Sequence, residues 1–132
     1  MVTKKGREGG FSLLEVSIAM LIIAILVAVV ILMVTGFFGE ARKAGLDADL
    51  DAVKKAVDRY KIDSFSWPTA NGQLPAQGEY ALIDFDASFT QDGVTQSFYP
   101  DFITNLPKHH DEEVWRIDSA GRVSVDMEPE EY

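Results

Sequence analysis

The chain has 132 residues, of which 47% are hydrophobic, and it carries 12 lysine and arginine residues against 21 aspartate and glutamate residues. This acidic balance argues against direct nucleic-acid binding, which depends on lysine and arginine releasing counterions from phosphates. The sequence contains no cysteine, which excludes disulfides, thiolate catalysis and cysteine-ligated zinc. The chain must therefore be stabilised by its own core or by assembly.

The hydrophobic residues and the charges are unevenly distributed. Residues 11–34 contain 21 apolar residues in 24 positions, whereas residues 35–132 contain only 39 in 98. The first ten residues carry three basic side chains and one acidic one, and the part from residue 35 onwards carries 9 basic and 19 acidic side chains. A membrane-like segment thus precedes a modest acidic globular region.

Residues 16–34 form a continuous apolar run whose only polar member is Ser17. At about 1.5 Å per residue, this run nearly crosses a hydrocarbon layer of roughly 30 Å. Basic residues precede the run, and the next ones, Arg42 and Lys43, follow well after it. This asymmetry predicts a single-pass protein of the cytoplasmic (inner) membrane, with a cytoplasmic N-terminus and the acidic region outside. An ordinary secretory signal is disfavoured, because its apolar part is shorter and is followed by a small-x-small cleavage site.

The front edge of the apolar run contains a carboxylate at Glu15, which is costly inside a membrane unless it is paired or lies near an interface. One reading is structural. Ser12 and Glu15 match the S-x-x-E capping box, which places Glu15 in the first helical turn, where the helix dipole favours a negative charge.

The hexapeptide GFSLLE at residues 10–15, followed by the long apolar run, resembles the processing segment of type IV prepilins and of type II secretion pseudopilins. The resemblance implies that a prepilin peptidase cuts between Gly10 and Phe11 and N-methylates Phe11. It also implies an assembly role for Glu15, whose carboxylate would meet the terminal amine of a neighbouring subunit. Such an amine, with an unperturbed pKa of about 7.7 to 8.0, is mostly charged at neutral pH. The capping and assembly roles are compatible.

A second helical pattern follows, with an apolar stripe formed by Leu46, Leu50, Val53, Val57 and Tyr60. The spacing of four and three residues predicts an amphipathic helix, and no proline precedes Pro68, so one helix over residues 12–62 is expected. Residues 47–58 also suggest a calcium loop. The position that needs glycine is Ala52, however, and the helical stripe continues through the segment, which favours a solvated helix face.

The end of this helix is marked by Trp67, Pro68 and Thr69, because proline moves the preceding residue out of helical geometry. The pattern of Tyr60, Asp63 and the Trp-Pro-Thr triplet resembles the end of the long helix in major pseudopilins. Beyond it, period-two patterns predict strands at residues 80–85 and 94–99, flanking residues 91–93, and at residues 115–118 and 122–125, flanking residues 119–121. The tail at residues 128–132 is expected to be loose.

The only cluster with metal-ligand chemistry is His109 and His110 followed by three acidic residues. Adjacent histidines point in different directions and the run is a polar loop, so a solvated loop is favoured over a metal site. Calcium is compatible with the resemblance to major pseudopilins, but no ligands are assignable, and no cofactor is predicted. No G-x-S-x-G, P-loop or H-E-x-x-H motif is present, which argues against an enzyme.

These patterns predict an α+β, pilin-like fold, in which a long N-terminal helix with a transmembrane half and an amphipathic half packs on a small antiparallel β-sheet. The expected divisions are a cleaved leader at 1–10, a transmembrane and filament-core helix at 11–35, the amphipathic half at 36–63 and an acidic loop and sheet region at 64–132.

The expected function is that of a structural subunit of a helical filament built from copies of this chain. The expected partners are prepilin peptidase, a pilus or secretion assembly platform, and membrane lipid before assembly. The filament is either an extracellular pilus or a periplasmic pseudopilus, the latter making the chain a major pseudopilin of type II secretion. A single-span anchored binding or sensor domain that never polymerises is the alternative from another class.

Overall fold

A computed structural model describes residues 9–132, and the expected leader residues 1–8 lie outside this described part. One α-helix, α1, comprises Leu13–Ser64, close to the predicted range. The backbone N–H of Glu15 donates to Ser12 Oγ at 3.1 Å, which confirms the capping role of Ser12. At its other end the helix stops before Phe65, which adopts a left-handed φ of 55°, and Pro68 follows. Gly36 and Gly39 are both helical.

The chain divides into two compact units, one ending at Phe38 and the other comprising Gly39–Tyr132. The described part of the first unit is mainly the apolar half of α1. Its large side chains are all exposed, and the helix is long and apolar enough to cross a membrane. An isolated helix that is hydrophobic on every side is not stable when exposed to water, which agrees with the predicted membrane segment.

The second unit is built on the amphipathic half of α1. The predicted stripe is confirmed, because Leu46, Val53, Val57 and Tyr60 are buried and Leu50 is half-buried. The stripe from Val53 onwards packs in one hydrophobic core with side chains from the strands and loops, namely Ile83, Phe85, Phe98, Ile103, Trp115, Ile117 and Val123.

The strands of this unit form two antiparallel sheets. Strands β1 (Tyr80–Leu82), β4 (Trp115–Asp118) and β5 (Val123–Val125) form a three-stranded sheet in the order β1-β4-β5. Strands β2 (Ser88–Gln91) and β3 (Val94–Ser97) form a two-stranded hairpin. An irregular helical turn at Phe98–Phe102 follows β3. The α+β fold class, a long helix packed on small antiparallel sheets, is confirmed.

One predicted strand pairing is wrong. The sequence pattern placed residues 80–85 opposite residues 94–99, but β1 pairs with β4, where Ala81 lies opposite Ile117. The partner of β3 is β2, which has a single large apolar side chain, Phe89, and was therefore missed. The predicted turn is correct, since Asp92 and Gly93 both have positive φ, at 52° and 82°, as the tight two-residue hairpin turn requires.

The predicted hairpin of β4 and β5 is confirmed, and Asp118 organises its turn. One carboxylate oxygen of Asp118 accepts the backbone N–H groups of Ala120 and Arg122, each at 2.9 Å, and the other accepts Arg122 Nε at 2.8 Å. The hydrogen bond from the Arg122 backbone N–H is the main reason that the pKa of Asp118 lies below its ordinary value of 3.8.

This depressed pKa predicts a pH dependence of stability. The ionised Asp118 should stabilise the fold above its unfolded pKa of about 3.9, and this contribution should vanish as the pH falls through the lower folded pKa. We therefore expect Asp118→Asn to lower the denaturation midpoint at pH 6, and the difference from wild type to shrink towards pH 3. Denaturant titrations across this range test the expectation, with Asp92→Asn in the other hairpin turn as the control. A difference that stays constant with pH would contradict it.

The predicted loose tail is wrong. Tyr132 is only 8% exposed, and Arg42 Nη1 donates to the Glu130 carbonyl oxygen at 2.9 Å. The acidic composition of the tail concealed these contacts, because their partners lie more than eighty positions earlier in the chain.

Candidate processing and assembly segment

The segment with the predicted processing residues begins as non-helical backbone. Gly9 and Gly10 lie in open space, where a Cβ built at either position meets no atom within 4 Å. The Phe11 side chain is 82% exposed, and α1 starts two residues later. The Gly10–Phe11 peptide bond therefore lies in a non-helical, accessible stretch just before the helix.

Glu15 lies in the first turn of α1, and its carboxylate takes no part in capping the helix. Its backbone N–H donates to Ser12 Oγ, and the next N–H, that of Val16, donates to the Ser12 carbonyl oxygen at 3.1 Å. Within residues 9–132 the Glu15 carboxylate makes no hydrogen bond and no ion pair, so the reciprocal half of the capping box is not formed. The carboxylate is thus available to a cation from another molecule.

Phe11 and Glu15 lie beside the same shallow concavity of about 370 Å³, whose remaining lining residues, Val16, Ala19, Met20 and Ile23, are apolar. A carboxylate at the edge of an apolar surface is stabilised most by a partner that brings both a positive charge and an apolar group.

The other sequence candidates lie elsewhere. Asp47, Asp51 and Asp58 are exposed on α1, which confirms the helical reading of the calcium-like segment. His109 Nδ1 lies 2.9 Å from Glu112 Oε1, whereas His110 Nδ1 lies 3.1 Å from the Pro107 carbonyl oxygen, so the two rings have separate partners. Across residues 9–132, no three histidine, aspartate or glutamate side chains are grouped as metal ligands would be.

A cluster that no sequence pattern indicates forms around Tyr132. Its hydroxyl donates to Asp49 Oδ2, and Lys108 Nζ lies 3.3 Å from the Tyr132 carbonyl oxygen. Burial, followed by the neighbouring Asp49 carboxylate, raises the pKa of the Tyr132 hydroxyl. The three residues are scattered along the chain, and only the folded structure brings them together.

Comparisons with known proteins agree with the resemblance of the first segment. Residues 5–35 match the family model of the prokaryotic N-terminal methylation motif. The chain is also similar to proteins named type II secretion system core protein G. It is 31% identical to that of Escherichia coli K12 over 88 residues, 30% identical to that of Pseudomonas aeruginosa over 73 residues, and 34% identical to that of Aeromonas hydrophila over 73 residues.

These alignments cover 55–66% of this chain, and the chain spans only about half to three-fifths of the length of these relatives (51–61%). No solved structure matches the chain significantly. The N-terminal segment of this chain therefore carries the prokaryotic N-terminal methylation motif, and the chain is similar to type II secretion system core protein G over part of its length.

Proposed function

We propose that this chain is a structural subunit of a pseudopilus-type filament of a type II secretion system. The observation that carries the proposal is the coincidence of the methylation motif at residues 5–35 with an apolar helix whose large side chains are all exposed. The similarity to the core protein G of type II secretion systems favours a pseudopilus over a surface pilus. The chain would then act as a major pseudopilin, and a surface pilus subunit is the second candidate within the family.

The apolar half of α1 provides the driving force for assembly. Burying one valine, leucine, isoleucine or methionine side chain stabilises a structure by about 1.5–3 kcal/mol relative to water. The first unit exposes many such side chains, which remain out of water only in lipid or in a bundle of identical helices. The chain therefore stays in the inner membrane, with its acidic unit in the periplasm, until a secretion assembly platform transfers it to the filament.

Processing prepares the chain for this transfer. Prepilin peptidase removes residues 1–10 by cutting between Gly10 and Phe11, and it methylates the new terminal amine of Phe11. The amine of Phe11 then pairs with the Glu15 carboxylate of a neighbouring copy, and this pairing fixes the register of the helices. The role requires no cofactor and no nucleic acid, and calcium in the loop region of the sheet stays a prediction without assigned ligands.

Cleavage separates this proposal from a single-span anchored sensor domain, which would keep its leader. We expect the mature protein to begin at methylated Phe11 when prepilin peptidase is present and to keep residues 1–10 when it is absent. N-terminal sequencing and intact-mass measurement on the membrane-extracted protein test this expectation.

Gly10 and its neighbour Gly9 provide a matched pair of variants. Neither position has an atom of residues 9–132 within 4 Å of a built Cβ, so both positions have open space for the first atom of a side chain. We expect Gly10→Leu to block cleavage and Gly9→Leu to leave it intact. An uncut wild-type chain, or equal cleavage of the two variants, would overturn the assignment of the site.

A further inference from the structure

The loop that follows α1 contains the one Asn-Gly pair of the sequence, Asn71-Gly72. Asparagine is a thermolabile residue, and a following glycine leaves its side-chain amide unhindered, because glycine has no Cβ. Asn71 is exposed, and Gly72 has a left-handed φ of 70°, which favours glycine at this position. The pair therefore has the residue types and the accessibility that spontaneous deamidation requires.

Deamidation of such a pair proceeds through a ring. The backbone nitrogen of Gly72 attacks the side-chain carbonyl carbon of Asn71, and the side-chain nitrogen leaves as ammonia together with the proton of the Gly72 N–H. The resulting succinimide takes up one water molecule, and opening at one carbonyl or the other gives aspartate or isoaspartate. The ring has no N–H at position 72, and isoaspartate lengthens the main chain by one carbon atom.

The folded loop opposes both changes. The Gly72 N–H donates to the Thr69 carbonyl oxygen at 3.0 Å, and this hydrogen bond is lost when the ring forms. The Gly72 carbonyl oxygen accepts the Trp67 N–H at 2.9 Å, so a longer main chain at position 71 would move this acceptor away from its donor. Both steps of the reaction thus break backbone hydrogen bonds of the loop.

The side chain of Asn71 is held as well. Asn71 Oδ1 accepts the Gln73 N–H at 3.1 Å, and Thr69 Oγ1 lies 3.2 Å from the same oxygen. The Thr69 hydroxyl donates to the Gln73 carbonyl oxygen at 2.8 Å, and Thr69 is only 5% exposed. A buried threonine therefore fixes the position of the exposed amide.

We propose that Asn71 is a deamidation site that the folded loop holds unreactive, with Thr69 as the positioning residue. The nitrogen that must attack is engaged by the Thr69 carbonyl oxygen, and the amide that must be attacked is fixed by the Gln73 N–H. Conversion of Asn71 then marks chains that lack these hydrogen bonds. The inference concerns the Gly39–Tyr132 unit alone and does not rest on the proposed function.

Peptide mass spectrometry measures the rate of conversion of Asn71 in the full-length protein, incubated in detergent micelles in mildly alkaline buffer with and without urea. Asp92-Gly93 is the internal control, because aspartate before glycine forms the same ring with loss of water, and this pair lies in the separate β2–β3 turn. Two variants, Thr69→Val and Thr69→Ser, are compared with the wild type in the absence of urea. Valine removes the hydroxyl, whereas serine keeps it.

We expect urea to raise the rate at Asn71 by about tenfold or more, which corresponds to roughly 1.4 kcal/mol or more of protection. Thr69→Val should raise the rate at Asn71 several-fold in the absence of urea and leave the rate at Asp92 unchanged, and Thr69→Ser should restore the wild-type rate. Equal rates at Asn71 in the wild type with and without urea would overturn the proposal. An unchanged rate in Thr69→Val, or equal increases at Asn71 and Asp92, would overturn the role of Thr69.

Discussion

Replacing Glu15 by alanine should abolish filament assembly while leaving membrane insertion and cleavage intact. The capping hydrogen bond uses the backbone N–H of Glu15 and the hydroxyl of Ser12, so it survives the substitution. What is lost is the carboxylate, which has no partner within residues 9–132 and which we assign to the amine of a neighbouring subunit. Removing one partner of a buried ion pair costs about 3–5 kcal/mol, so each subunit addition should weaken by roughly 100-fold or more.

The measurement is the yield of sheared filaments from cells that express each variant at equal membrane levels. Ser17→Ala is the matched control, because Ser17 lies in the same part of α1 and, within residues 9–132, its hydroxyl donates only to the Leu13 carbonyl oxygen of its own helix. Glu15→Asp keeps the charge on a shorter side chain and should assemble in reduced amounts. A wild-type filament yield from Glu15→Ala would contradict the proposed role of Glu15 in assembly.

Replacing Trp115 by alanine should destabilise the Gly39–Tyr132 unit more than any surface change. Trp115 is 2% exposed, and its Nε1 donates to the Lys108 carbonyl oxygen at 3.0 Å. Truncating a buried tryptophan to alanine costs about 3–5 kcal/mol, which is a large part of the 5–15 kcal/mol that stabilises a typical domain. Cleavage between Gly10 and Phe11 should be unaffected, because the processing segment lies in the other unit.

Denaturant titration of the full-length chain in detergent micelles, followed by the fluorescence of the remaining Trp67, measures this loss. Phe65→Ala is the control, since Phe65 is an aromatic residue of the same unit that is 89% exposed, and its removal should change the free energy of unfolding by less than about 0.5 kcal/mol. Similar effects of the two substitutions would contradict the assignment of Trp115 to the core.

Local sequence patterns predicted the helical part of the structure well. The start of α1 directly after Ser12, its end before Pro68 and the buried stripe from Leu46 to Tyr60 all depend on residues within a few positions of one another. The turns at residues 91–93 and 119–121 were also found, because a tight turn requires particular residue types at adjacent positions. The methylation motif was recognisable for the same reason, because the glycine, phenylalanine and glutamate of residues 10–15 stand in a fixed register.

Pairing over long distances in the chain was not predictable in this way. The pattern at residues 80–82 is the same whether this strand pairs with a neighbouring hairpin or with β4, more than thirty residues later. The tail appeared loose because its composition is acidic and polar, yet Tyr132 is bound by Asp49 and Lys108, which its own neighbourhood does not reveal.

The sequence by itself determined the long apolar segment, the N-terminal methylation motif, the long helix and its buried stripe, because each depends on short-range periodicity or on a motif of adjacent residues. Only the tertiary structure decided the strand order β1-β4-β5, the separate β2–β3 hairpin and the packing of the Tyr132 ring beside Gly45. These features depend on which distant surfaces bury one another best, and that competition is settled by the shape and packing of the whole unit rather than by any one segment.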